Sequence, residues 1–253
     1  MMYPANPDLL RVLDVTARTL PGLNGRVGDA GREDLRVGSA TNRDHIAALY
    51  EHWRTAHPEA GAHYWSARTW TLTIWQPIYL SLLGVHLAQR APCLAGMGQS
   101  IQDGFVAGFC LPEHCPRHAA QTQLIAFAAE QLREQMAHQL SDFQSVVGIK
   151  AKMANRLAAD YVLAALLLIQ RQQRFCNERA HALEAQWLEA LALTGDSSLI
   201  DVRLDDGQER LALGRKVCCQ HFRRGDGELC STCPKLREAE RLARLKQELA
   251  AEC

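Results

Sequence analysis

Val147 to Leu193 reads VGIKAKMANRLAADYVLAALLLIQRQQRFCNERAHALEAQWLEALAL. Apolar residues return every three to four positions, separated by Ala-, Gln- and Arg-rich polar faces, which is the helical period and not the strand period. Upstream, Pro116 to Leu140 carries the same spacing, with an interruption near Phe143 to Gly148. These segments are the expected core helices. Further toward the N-terminus, Pro7 to Thr19 predicts a short helix stopped by Pro21-Gly22, and Thr41 or Asn42 can cap a helix that ends near His57, before Pro58. Gly22 to Val37 holds four glycines and mixed charges and reads as a loop. His63 to Arg90 is a long helical candidate that Pro77 would kink or divide and Gly84 would weaken.

Two segments break the helical pattern. Pro92 to Pro112 reads as two short strands around Asp103-Gly104, and Ser198 to Leu204 and Glu209 to Val217 alternate around Asp205-Asp206-Gly207. A last helix is expected from Pro234, with Leu236, Leu242, Leu245 and Leu249 on one face. The expected fold is therefore mainly α-helical α+β. It has a bundle-like body over 1–195, short antiparallel hairpins, and a small cysteine-bearing C-terminal module over 196–253.

The chain has 253 residues, and 47% apolar against 22% charged residues is enough to bury a core. Lys plus Arg and Asp plus Glu both total 28, a balance that argues against a protein built to cover nucleic-acid phosphates. The first twenty residues carry neither a basic n-region nor a long apolar run, so a cytoplasmic location is expected. Leu72 to Ala88 and Tyr161 to Ile169 fall short of about 20 clean apolar residues, so no membrane span is expected, although peripheral association stays open. Nucleotide-binding and hydrolase motifs of the G-x-G-x-x-G, G-x-x-x-x-G-K-[ST], G-x-S-x-G and H-E-x-x-H kinds do not occur.

Nine cysteines are present. Cys93, Cys110, Cys115, Cys176 and Cys253 are scattered, but Cys218, Cys219, Cys230 and Cys233 fall within sixteen residues, VCCQHFRRGDGELCSTCP from Val217 to Pro234. The spacing is C-C-x10-C-x2-C. A C-x2-C pair chelates because its short turn lets both sulfurs face one site while backbone N–H groups point at them. Adjacent cysteines point to opposite faces of an extended chain, so Cys218 and Cys219 converge only if the backbone bends between them. One zinc ion is ordinarily held by C-x2–4-C pairs on both sides, a rule that the vicinal pair breaks, whereas a two-iron cluster spreads its ligands further apart. Two structural disulfides suit a cytosolic redox poise poorly.

This pattern resembles the C-terminal signature of FhuF-type ferric-siderophore reductases, and YWSARTWTLTIWQPIYLSLLGVH (Tyr64 to His86) and QDGFVAGFCLPE (Gln102 to Glu113) resemble the N-terminal part of a siderophore-reductase subgroup. The resemblance implies a [2Fe-2S] cluster on Cys218, Cys219, Cys230 and Cys233, and a C-terminal iron–sulfur module. It also implies one-electron reduction of siderophore-bound Fe(III) to Fe(II) in the cytoplasm. With no nucleotide motif, electrons are expected from a separate ferredoxin or flavin-containing reductase. The alternative is a non-catalytic, zinc-stabilised binding module.

Trp53, Trp65, Trp70 and Trp75 fall within 23 residues, and Trp65, Arg68, Trp70, Trp75 and Gln76 are the candidate siderophore contacts. Their competing reading is core packing, which also applies to His86. Arg215, Lys216, Arg223 and Arg224 are the candidate donor-docking residues, because Arg215 to Glu248 holds nine Lys or Arg against five acids, a local net of +4 in a neutral chain. His221, which could replace a cysteine only in a Rieske-type site, is expected beside the ligands and not among them.

Overall fold

The structure, a computed structural model, describes residues 5–251. Its helices are α1 (Pro7–Thr19), α2 (Asn42–Ala56), α3 (Ala62–Leu83), α4 (Gln121–Val146), α5 (Ala151–Gln173), α6 (Asn177–Ala190) and α7 (Glu238–Ala251). The strands are β1 (Gly25–Val27), β2 (Gly98–Gln102), β3 (Phe105–Leu111), β4 (Leu199–Arg203) and β5 (Glu209–Leu213). The fold is mainly helical α+β, as the periodicity predicts.

α3 is buried along most of its circumference and forms the centre of the body, packed against α2, α4 and α5. Pro77 does not divide it. The ring removes one backbone hydrogen bond, but the helices around α3 bury Ile74, Gln76, Ile78 and Leu80 on either side and hold the axis. The geometry gives way only after Leu83, where Gly84–Ala88 widens into a π turn that ends at Gln89, φ 55°. α1 starts where the sequence predicts, with the Asn6 side chain accepting from the backbone N–H groups of Asp8 and Leu9.

α4 begins at Gln121 and not at Pro116, because Arg117 is held in a bridge to Ala91 before the helix starts, and it runs past Leu140 to Val146. The Val147 to Leu193 stretch divides into α5 and α6 at Arg174, which takes the left-handed conformation and closes α5 with an N–H bond to the Gln170 carbonyl. α5 is long and apolar enough to cross a membrane by length and composition alone. It is the core helix here: Leu157, Val162, Leu163, Leu166 and Ile169 are buried against α3, α6 and β5.

Both predicted hairpins form: β2 pairs antiparallel with β3, and β4 with β5. Asp103 and Gly104 both have positive φ, which turns β2 into β3. β1, read as part of a loop, instead pairs parallel with β3 on its other edge. Three residues show no alternation, so only the tertiary partner makes this strand. A Cβ at Gly25 would stand 2.3 Å from the Phe109 ring, so the approach requires glycine. α7 begins at Glu238 and not at Pro234. Leu245 packs against Val202, Leu204 and Ala212 of the second hairpin, Leu242 is exposed, and Leu236 lies before the helix beneath the cysteines.

Candidate metal centre

β5 ends at Leu213 and hands the chain to the cysteine segment. The backbone bends sharply after the vicinal pair: Gln220 is left-handed, φ 63°, and His221–Arg223 makes one 3-10 turn. The bend lets the Gln220 N–H reach back to Cys218 Sγ at 3.3 Å and the His221 N–H bond Cys219. The returning loop passes so close that a Cβ at Gly227 would lie 2.1 Å from the His221 carbonyl oxygen, so no other residue fits there without moving backbone. The C-x2-C half closes by a turn in which the Cys233 N–H donates to the Cys230 carbonyl at 3.0 Å.

The thiols form a string. Cys233 Sγ lies 3.7 Å from Cys218 Sγ, Cys218 hydrogen bonds with Cys219, and Cys219 with Cys230. Cys218 and Cys233 are buried with Leu236 against Phe222 and Leu229, whereas Cys219 and Cys230 are half-buried. All eight described cysteines are free thiols, and Cys253 lies outside the described residues. Hydrogen bonds from Cys218 and then Cys230 lower the Cys219 thiol well below its usual range, with Arg215 adding attraction. The same contacts with Cys219 push the other two upward.

Two thiolates about 2.3 Å from one tetrahedral ion stand about 3.8 Å apart, which the Cys218–Cys233 separation meets. Among the described residues, however, no three His, Cys, Asp or Glu side chains converge as the ligands of a single ion do. The four thiols are instead linked end to end, Cys233 to Cys218 to Cys219 to Cys230. Residues 215–235 match the family model of the FhuF 2Fe-2S C-terminal domain. That match spans all four cysteines and indicates a [2Fe-2S] cluster as the cofactor.

The FhuF-type segment is fastened to the body by an ion pair. Arg215 Nε donates to Asp160 Oδ2 of α5 at 2.7 Å, and Ser197 Oγ donates to Asp160 Oδ1 at 2.6 Å. Burial pushes the Asp160 carboxyl upward, while Arg215 and Ser197 oppose that shift. For Arg215, burial acts downward and is outweighed by Asp160, Cys219 and Cys230, so the guanidinium stays charged. Its side chain is only 13% exposed, which removes Arg215 from the docking surface proposed for it by sequence. Lys216 and Arg223 are exposed, while Arg224 is engaged by Asp226. The +4 patch is likewise thinned by Arg244–Glu240 and Lys246–Asp205 pairs.

Beside the FhuF-type segment is a cavity of about 370 Å³ whose wall includes Cys219, Arg215 and His221 from the segment, Tyr64, Arg68, Thr71 and Tyr79 from α3, and Asp160, Tyr161 and Ala164 from α5. Of the five candidate siderophore contacts, only Arg68 reaches it. Trp70 is buried against Phe143 and donates to the Ala154 carbonyl, Trp65 donates to the His57 carbonyl, and Trp75 to the Val106 carbonyl. Gln76 is buried between Gly108 and Gln99. These four side chains spend their polar groups holding α3 against its neighbours. His86 is also a core residue, held neutral by burial with a pKa lowered to about 4 and accepting from Trp187 Nε1.

Arg68 is different: its guanidinium lies 4.7 Å from the Trp53 ring centroid and 5.3 Å from that of Phe105, its Nε has no hydrogen-bond partner, and no carboxylate pairs with it among the described residues. The residues that sequence reasoning missed are Asp160 and Tyr161. A signal existed for each face. Tyr64, Arg68, Thr71 and Tyr79 repeat at helical spacing along α3, and Asp160 is the one acid in the apolar run of α5.

Proposed function

We propose that the protein is a ferric-siderophore reductase that releases iron in the cytoplasm by one-electron reduction of the bound Fe(III). The observation that carries this reading is the position of Cys219: one member of the four-thiol string is also part of the wall of a ligand-sized cavity in the helical body. Siderophore oxygen donors hold Fe(III) far more tightly than Fe(II), so one added electron loosens the metal without breaking the ligand. Cys218, Cys219, Cys230 and Cys233 would hold the [2Fe-2S] cluster, which when bound would supply a low-potential electron.

The chain itself supplies the approach. Tyr79 and Tyr161 give the cavity flat apolar walls, and Arg68, stacked on Trp53 and Phe105 and without a carboxylate partner among the described residues, places positive charge beside it. Of the four cations named for donor docking, Lys216 and Arg223 stay exposed, where an acidic ferredoxin or a flavin-containing reductase would deliver the electron. A zinc-stabilised binding module is not favoured, since the segment matches a 2Fe-2S domain and no three possible ligands converge among the described residues.

The test is stopped-flow oxidation of the pre-reduced protein by ferric hydroxamates, catecholates and carboxylates, with Fe(II) trapped by a chelator. At least one ferric siderophore is expected to oxidise it at least about tenfold faster than ferric citrate does, a difference of about 1.4 kcal/mol in barrier. Equal rates for the whole panel would remove siderophores as the substrate.

A further inference from the structure

We infer that Arg215 sets the reduction potential of the cluster, and that Asp160 is the positioning residue that holds it in place. The inference rests on the [2Fe-2S] reading of residues 215–235 and is independent of which substrate enters the cavity.

The guanidinium is shared between two acceptors. Nε donates to Asp160 Oδ2 at 2.7 Å, while Nη1 donates to Cys230 Sγ at 3.7 Å. The carboxylate is in turn fixed by Ser197 at 2.6 Å and sits on α5, the central helix of the body. The Asp160 and Arg215 side chains are 4% and 13% exposed. Burying such a pair costs desolvation on both sides, and well-packed apolar residues generally stabilise a core as well or better. Stability alone therefore does not explain a charged pair at this place.

Orientation does. The cation lies between the carboxylate and the sulfur, so the pair presents its positive end to Cys230 and its negative end to the core. A donor and a positive charge on a ligand sulfur favour the more negative, reduced state of an iron–sulfur centre and raise its potential. Thr232 Oγ1 adds a second, neutral donor to the same sulfur at 3.7 Å. Cys218, by contrast, receives the backbone N–H of Gln220, a group no side-chain substitution removes. Arg215 is thus the point at which a side chain of known charge controls the centre. Its anchor, Asp160, belongs to the body and lines the same cavity as Cys219.

The experiment is a redox titration of the cluster, followed by visible absorption and EPR, in wild type, Arg215→Gln, Arg215→Lys, Asp160→Asn and the Asp160→Asn, Arg215→Gln double variant. Arg215→Gln is expected to load the cluster and to shift its reduction equilibrium at least tenfold toward the oxidised form, about 59 mV for one electron. Arg215→Lys, which keeps the charge but loses the fork, is expected to shift the same way by less. It carries the test if the glutamine variant does not load. Asp160→Asn is expected to change the potential only while Arg215 is present, so the double variant should match Arg215→Gln alone.

An Arg215 variant that holds its cluster at the wild-type potential would overturn the inference. An Asp160→Asn shift of equal size in both backgrounds would overturn the positioning role. Absence of any cluster in wild type would instead refute the [2Fe-2S] reading itself.

Discussion

Serine in place of any one of Cys218, Cys219, Cys230 or Cys233 is expected to leave protein with little or no bound iron and no visible charge-transfer bands. Thiolate is the softer and better iron ligand, and each thiol in the string has a neighbouring thiol as partner. Losing an outer partner of a metal site typically costs about 10- to 100-fold in affinity, so losing a direct ligand should cost more than about 100-fold. Serine at Cys233 or Cys218 also places a hydroxyl in the pocket that Leu236 seals, so those two variants should lose thermal stability as well. Cys93, Cys110, Cys115 and Cys176 lie outside the string. Cys110 is buried in β3 beside Asp34, and Cys115 is exposed in the loop after it. The Cys110→Ser, Cys115→Ser double variant should keep full iron content, measured against wild type by metal analysis. Loss of iron there would place a ligand outside the C-terminal segment.

Filling the cavity is the second large effect. Ala164 of α5 is half-buried in the wall shared by the cavity beside Cys219 and an adjoining apolar groove. Ala164→Trp should occupy the space facing Tyr161 and lower the rate of ferric-siderophore reduction at least about tenfold, since a ligand cavity works by surrounding its occupant. The strain of the added ring costs about 1–3 kcal/mol of stability, which leaves the four thiols and Arg215 in place. Visible spectrum and reduction by dithionite should therefore match wild type. An unchanged siderophore rate with the spectrum intact would show that substrate reaches the centre by another face.

Much of this was legible in the sequence because it depends on local chemistry. The helical period of Val147 to Leu193, the Asp-Gly turns and the thiol spacing each carry their physical consequence within a few residues. Side-chain alternation sets the two adjacent thiols apart unless the backbone departs from an extended course, and Cys218 and Cys219 do reach each other, while the sharpest turn, at left-handed Gln220, comes after the pair. What was not legible depends on partners far away in the chain. β1 exists because β3 lies beside it, and α3 stays whole at Pro77 because α2, α4 and α5 enclose it. Spacing leaves the tryptophans of α3 open to both substrate contact and core packing, and their N–H groups find carbonyls at His57, Ala154 and Val106, an assignment no spacing rule provides. Arg215 looked like a surface charge for the same reason: its carboxylate partner lies 55 residues upstream. Asp160 was the missed clue, a lone acid in an apolar helix, where burial demands a partner.

Metal and acid-labile sulfide analysis of anaerobically purified protein, read together with its visible spectrum, tests the central claim most directly. The match of residues 215–235 to the FhuF 2Fe-2S C-terminal domain predicts red-brown protein with about two irons and two sulfides per chain and an EPR signal that appears on one-electron reduction. Colourless protein carrying one zinc per chain and no sulfide would contradict it.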